Sequence, residues 1–76
     1  MILYFDTGAT RHEVAKVHSV KEALQEISIF LKNRKYVSPY TRLYINPDNR
    51  KELVFDFGCH TQFFFLEKED EWESVL

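Results

Sequence analysis

Cys59 and His60 stand side by side in the stretch DFGCH, residues 56 to 60, and a thiol beside an imidazole is the pair a cysteine nucleophile uses when a base takes its proton. Adjacent residues in a turn rarely reach the hydrogen-bonded geometry such a pair needs, and no third group is placed to orient the ring. His12, His18, Cys59 and His60 are metal-ligating types, yet their positions follow no ligand spacing known for a metal site. Asp56-Phe57-Gly58 spells the metal-binding triplet of protein kinases, but 76 residues do not hold a kinase, and the Gly-rich loop, lysine and HRD elements are missing. The chain therefore carries no catalytic, metal or cofactor signature. The expectation is a protein that binds without reacting, in which Gly58 serves the backbone of a hairpin turn.

The charges divide along the chain. Residues 1 to 51 hold nine Lys/Arg against five Asp/Glu, net +4, and residues 52 to 76 hold seven acids against Lys68, net -6. Lys32, Arg34, Lys35, Arg50 and Lys51 form a basic group that, with aromatics on a sheet, suits phosphate contact and base stacking. The acidic end, Glu67 to Glu73, opposes a polyanion, so nucleic acid is the second choice of partner. Hydrophobic residues at 45% and aromatics at 16% are the composition of a folded domain. At this length it is one domain, residues 1 to 76, with a thin core. A single cysteine, no basic leader before Ile2-Leu3-Tyr4-Phe5 and no long apolar run point to a cytoplasmic setting away from membranes.

The elements that must position these groups follow from periodicity. Residues 1 to 6 and 12 to 18 read as a hairpin around Gly8, which is free to take positive φ. Val20, Ala23, Leu24, Ile27, Phe30 and Leu31 recur at helical spacing, so a helix is expected from about 20 to about 33. Ser19 and Glu22 read as its capping box, and Asn33 as its left-handed terminator. After the Ser38-Pro39 loop, strands are expected at 41 to 46, 51 to 57 and 61 to 67, turning at Pro47-Asp48-Asn49 and at Gly58. Trp72, Val75 and Leu76 share helical spacing and suggest a short C-terminal helix. The fold class is α+β: an antiparallel sheet in ββαβββ order with one amphipathic helix on one face.

One helix covers one side of a sheet. If Leu53, Phe55 and Phe57 face it, pairing brings Leu43 and Ile45 to the same side and leaves Arg42, Tyr44, Val54 and Asp56 on the other. The run Phe63-Phe64-Phe65 must then supply aromatic surface to both sides, with either Phe63 and Phe65 or Phe64 and Leu66 under the helix. Exposed aromatics beside an arginine are typical of protein interfaces, so Tyr44, Phe64 and Trp72 are the expected anchors, with Arg42 steering. The covering element is the C-terminal segment, a second copy in a homodimer, or another protein.

Together, HEVAKVHSVKEAL, YTRLYI and VFDFGCHTQFFFLE resemble small proteins encoded by phages and prophages of Gram-positive bacteria, whose closing strand-turn-strand has the form I-D-F-G-S-H-T-E-F-F. Here Cys59 and Gln62 stand where that pattern has Ser and Glu. The resemblance carries no catalytic residues. It implies an accessory factor that binds and modulates or inhibits a host or defence protein.

Overall fold

The computed structural model describes residues 1 to 35 and 41 to 74; the Ser38-Pro39 loop and the Val75-Leu76 pair expected to extend a final helix lie outside them. The element order is β1 (Ile2–Asp6), β2 (Arg11–Lys16), α1 (Val20–Asn33), β3 (Arg42–Ile45), β4 (Glu52–Asp56) and β5 (Phe63–Glu67). The five strands form one antiparallel sheet in the order β2-β1-β5-β4-β3. The α+β class and the ββαβββ order are those the periodicity predicts.

The position of β5 explains its composition. It is the central strand, paired with β1 on one side and β4 on the other, so its side chains have cross-strand neighbours on both faces of the sheet. Its apolar run serves two purposes: Phe64 and Leu66 fill the core, while Phe63 and Phe65 pack laterally on the other face. Phe64 and Leu66 point to the helix side and are fully buried, while Phe63 and Phe65 are half-buried on the opposite side. The register leaves no other choice: Phe64 pairs with Phe5 and Phe55, and Leu66 with Leu3 and Leu53, all of them core residues. Around Phe64 the rings of Phe5, Phe30 and Phe57 pack at centroid distances of 5.0, 5.3 and 5.5 Å. Such tilted and edge-on contacts each add about 0.5–1.5 kcal/mol beyond area burial.

Helix α1 presents Ala23, Ile27 and Leu31 to this core. Leu24, expected on the same stripe, lies on its margin and is exposed. Ser19 caps the helix by accepting from the Glu22 amide at 3.1 Å. The return bond of the capping box goes one residue further back than expected, since the Glu22 carboxylate accepts from the His18 amide at 3.1 Å. The left-handed residue after the helix is Lys35, φ 61°, rather than Asn33, which remains helical. Gly8 takes the expected positive φ of 89°, and a Cβ there would stand 3.1 Å from the Thr61 carbonyl, so the β1–β2 turn closes against the loop before β5.

Two expected anchors lie elsewhere. Phe64 belongs to the core under the helix, because its register partners do. Trp72 is also buried, at 7% exposure, and residues 68 to 74 form no helix. Its amide donates to Arg50 O at 2.8 Å, its indole Nε1 to Lys51 O at 3.2 Å, and Arg50 Nη2 returns a bond to its carbonyl. The acidic segment thereby closes the core on the helix side and leaves the opposite face of the sheet uncovered by it.

Candidate functional site on the open face of the sheet

The face opposite the helix is built by strand alternation. Tyr4 comes from β1, Phe63 and Phe65 from β5, Val54 from β4, and Arg42 and Tyr44 from β3, with Tyr4 opposite Phe65, Phe65 opposite Val54 and Val54 opposite Tyr44. Cross-strand neighbours of this kind touch, and so these four form a continuous apolar row. Val54 is buried within it, whereas Tyr44 is 39% exposed. A groove of about 290 Å³ opens along the row, lined by Tyr44, Val54, Phe63 and Phe65 and closed at one end by the turn Asn46-Pro47-Asp48. That turn is held firmly: Asn46 Oδ1 accepts from the Asp48 amide at 3.0 Å, and Asn46 N donates to Glu52 O at 3.0 Å.

The other half of the row carries an arginine from the chain itself. Arg11 starts on β2 and reaches across β1 and β5, so that its guanidinium lies 4.2 Å from the Phe65 ring centre and 5.7 Å from that of Tyr4. Its Nη1 donates to Glu52 on β4 at 2.5 Å, and its Nε to Asp6 at 3.3 Å. Glu52 is buried, at 4% exposure, and its second oxygen accepts from Asn46 Nδ2 at 3.1 Å. Burial works against the Arg11 charge, but the hydrogen bond and charge of Glu52, then those of Asp6, outweigh it and hold the guanidinium above its ordinary range. The Tyr4 phenol is pushed up by desolvation, then by the charges of Glu67 and Glu13. Arg11, Glu52 and the pairing of Phe63 with Phe65 escape a reading by residue type. Arg11 and Glu52 are 41 positions apart, and only the strand order brings them together.

Of the residues expected to bind protein, Tyr44 and Arg42 are on this face and exposed, with Arg42 across from Asp56 in register. Phe64 and Trp72 are on the helix side. The basic group does not assemble. Arg34 sits over Phe30 and Phe5 at the C-terminal end of α1 beside Lys32 and Lys35, while Arg50 and Lys51 bond to Trp72, which lies near Val20 at its other end. The 14-residue helix between them is about 21 Å long.

The Cys59 thiol contacts Thr61 Oγ1 at 3.9 Å, and the backbone N–H of Thr61 is the main cause of its lowered pKa. His12 contacts Thr10, and His18 lies beside Glu22, so the histidines are dispersed. Among the described residues no group of three or more His, Cys, Asp or Glu is arranged to hold a metal ion, and no helix is long and apolar enough to cross a membrane. Comparison with protein-family models, with curated proteins and with solved structures finds no match to this chain.

Proposed function

We propose that this chain is a non-enzymatic protein-binding module that docks a partner on the open face of its sheet. The observation that carries the reading is the groove between Tyr44, Phe63 and Phe65, rimmed by an ordered turn, on the face that neither α1 nor the Trp72 segment covers. Partly exposed aromatic rings on a sheet bury large area at low entropic cost, which is what interface anchors require. Tyr44, Phe63 and Phe65 are therefore the anchors, and Arg42 remains at the rim, where a charge tunes encounter more than affinity. The phage-protein resemblance adds a host or defence protein as the class of partner, with occupation of the partner's surface as the mode of action. The dispersal of Lys32, Arg34, Lys35, Arg50 and Lys51 over two ends of the helix gives a nucleic-acid function no comparable site.

Affinity capture from host lysate with the wild type and with a Tyr44→Ala/Phe63→Ala double variant tests the proposal. A partner held by the wild type and lost from the folded variant is the expected result. Identical capture profiles would sink the reading.

A further inference from the structure

The open face already shows which chemistry it accepts. Arg11 lays a guanidinium on Phe65 and closes it with the Glu52 and Asp6 carboxylates, so the chain fills one half of its aromatic row with its own cation. The other half, the groove beside it, repeats the same ingredients. It shares Phe65 with the Arg11 site, adds the rings of Phe63 and Tyr44, and ends at Asp48. Asn46 joins the two halves, lining the groove while donating to Glu52.

Size and charge narrow the occupant. At about 290 Å³ the groove is at the lower limit for a small-molecule site, a volume that suits one inserted side chain better than a cofactor. By register the face carries Asp6, Glu13, Glu52, Asp56 and Glu67 against Arg11, Lys16 and Arg42, and Arg42 is opposed by Asp56. Arg11 takes up Asp6 and Glu52, which leaves Glu13 and Glu67 against Lys16 on the face and Asp48 at the groove, a balance that attracts a cationic partner and is unfavourable to an acidic one. Arginine, planar and weakly hydrated, stacks on such rings more readily than lysine.

We infer that the groove between Tyr44, Phe63 and Phe65 receives an arginine side chain from a basic segment of the protein partner, stacked as Arg11 is stacked on Phe65 and steered by Asp48. This rests on the protein-binding reading above and names the partner's chemistry.

The test is a titration of the full-length, isotopically labelled chain with a blocked Gly-Arg-Gly tripeptide, followed by nitrogen–proton NMR correlation spectra. The same titration is repeated with the citrulline and the leucine tripeptides. Saturable shifts at Tyr44, Phe63 and Phe65 are expected with the arginine peptide, weakened about tenfold by citrulline, the size of a cation–π contribution, and abolished by Tyr44→Ala. Leucine binding as well as arginine would overturn the cation preference while leaving a protein-binding groove. Shifts of the same residues on concentrating the chain alone would assign the groove to a second copy and overturn the inference. No response to any peptide would overturn it as well, and the protein-binding reading would fall with it only if lysate capture were also insensitive to Tyr44 and Phe63.

Discussion

Arg11 Nη1 and Glu52 Oε2 meet at 2.5 Å across three strand pairings, one residue on the edge strand β2 and the other on β4. The two ends of this contact are not equivalent. Glu52 is almost wholly buried, whereas the Arg11 side chain is 36% exposed and also reaches Asp6. Removing the arginine strands a buried carboxylate with only Asn46, and removing the carboxylate's charge leaves an arginine that still sees water. Arg11→Ala is therefore expected to cost about 2 kcal/mol in urea unfolding, and Glu52→Gln clearly less, since an unpaired buried charge is the expensive half of such a pair. Equal losses for the two variants would show that the contact is an ordinary surface pair.

The two faces of the sheet separate aromatic residues by their role. Phe64 is fully buried among Phe5, Phe30 and Phe57, so Phe64→Ala is expected to cost about 3–5 kcal/mol, enough to unfold much of a domain this small. Tyr44→Ala, at an exposed position, is expected to stay within about 1 kcal/mol of the wild type in thermal or urea unfolding. A Tyr44 variant as unstable as the Phe64 variant would make Tyr44 part of the core and remove it as an anchor.

Most of the architecture was legible in the residue pattern because local rules and burial agree there. Ser19, the stripe through Ala23, Ile27 and Leu31, and the turns at Gly8 and Gly58 each determine an element without reference to the rest of the chain. The orientation of the phenylalanine run was not legible, because this strand carries aromatic residues on both faces and alternation then carries no sign. Its direction comes from pairing with β1, a contact about sixty residues distant in sequence. Trp72 misleads for a similar reason. Its spacing with Val75 and Leu76 suggests a helical cover for the open face, but its indole finds the Lys51 carbonyl, and that hydrogen bond ties the segment to the side of the helix. The site was half legible: Tyr44 and Arg42 follow from alternation on β3, whereas Arg11 and Glu52 depend on strand order.

Cys59 offers a check on the loop before β5. Hydrogen bonding from the Thr61 backbone, then from its hydroxyl, favours the thiolate and lowers its pKa from the usual 9.0. The rate of alkylation by iodoacetamide should accordingly inflect below pH 9, and Thr61→Val should move the inflection upward without restoring it fully, because the backbone contribution persists. An unchanged profile in the variant would mean that the hydroxyl plays no part.

Tyr4 reports on the charge around Arg11. Its phenol is raised above 10.0 first by desolvation and then by Glu67 and Glu13, while Arg11 pulls in the opposite direction. Between the unfolded value near 10 and the higher folded one, the unfolded chain has released this proton and the native chain retains it. The contribution of the group is thus intact below about pH 10 and is lost as pH rises through the folded value. Ring-carbon NMR titration should place the Tyr4 midpoint above 10, and Glu67→Gln should lower it while leaving it above 10, because desolvation is the larger cause. Arg11→Gln should move it the other way, since the nearest cation favouring the phenolate is removed. A Tyr4 midpoint that does not respond to Arg11→Gln would show that the guanidinium does not lie over the tyrosine in solution, and with it would go the example of a stacked arginine on which the partner's chemistry was read.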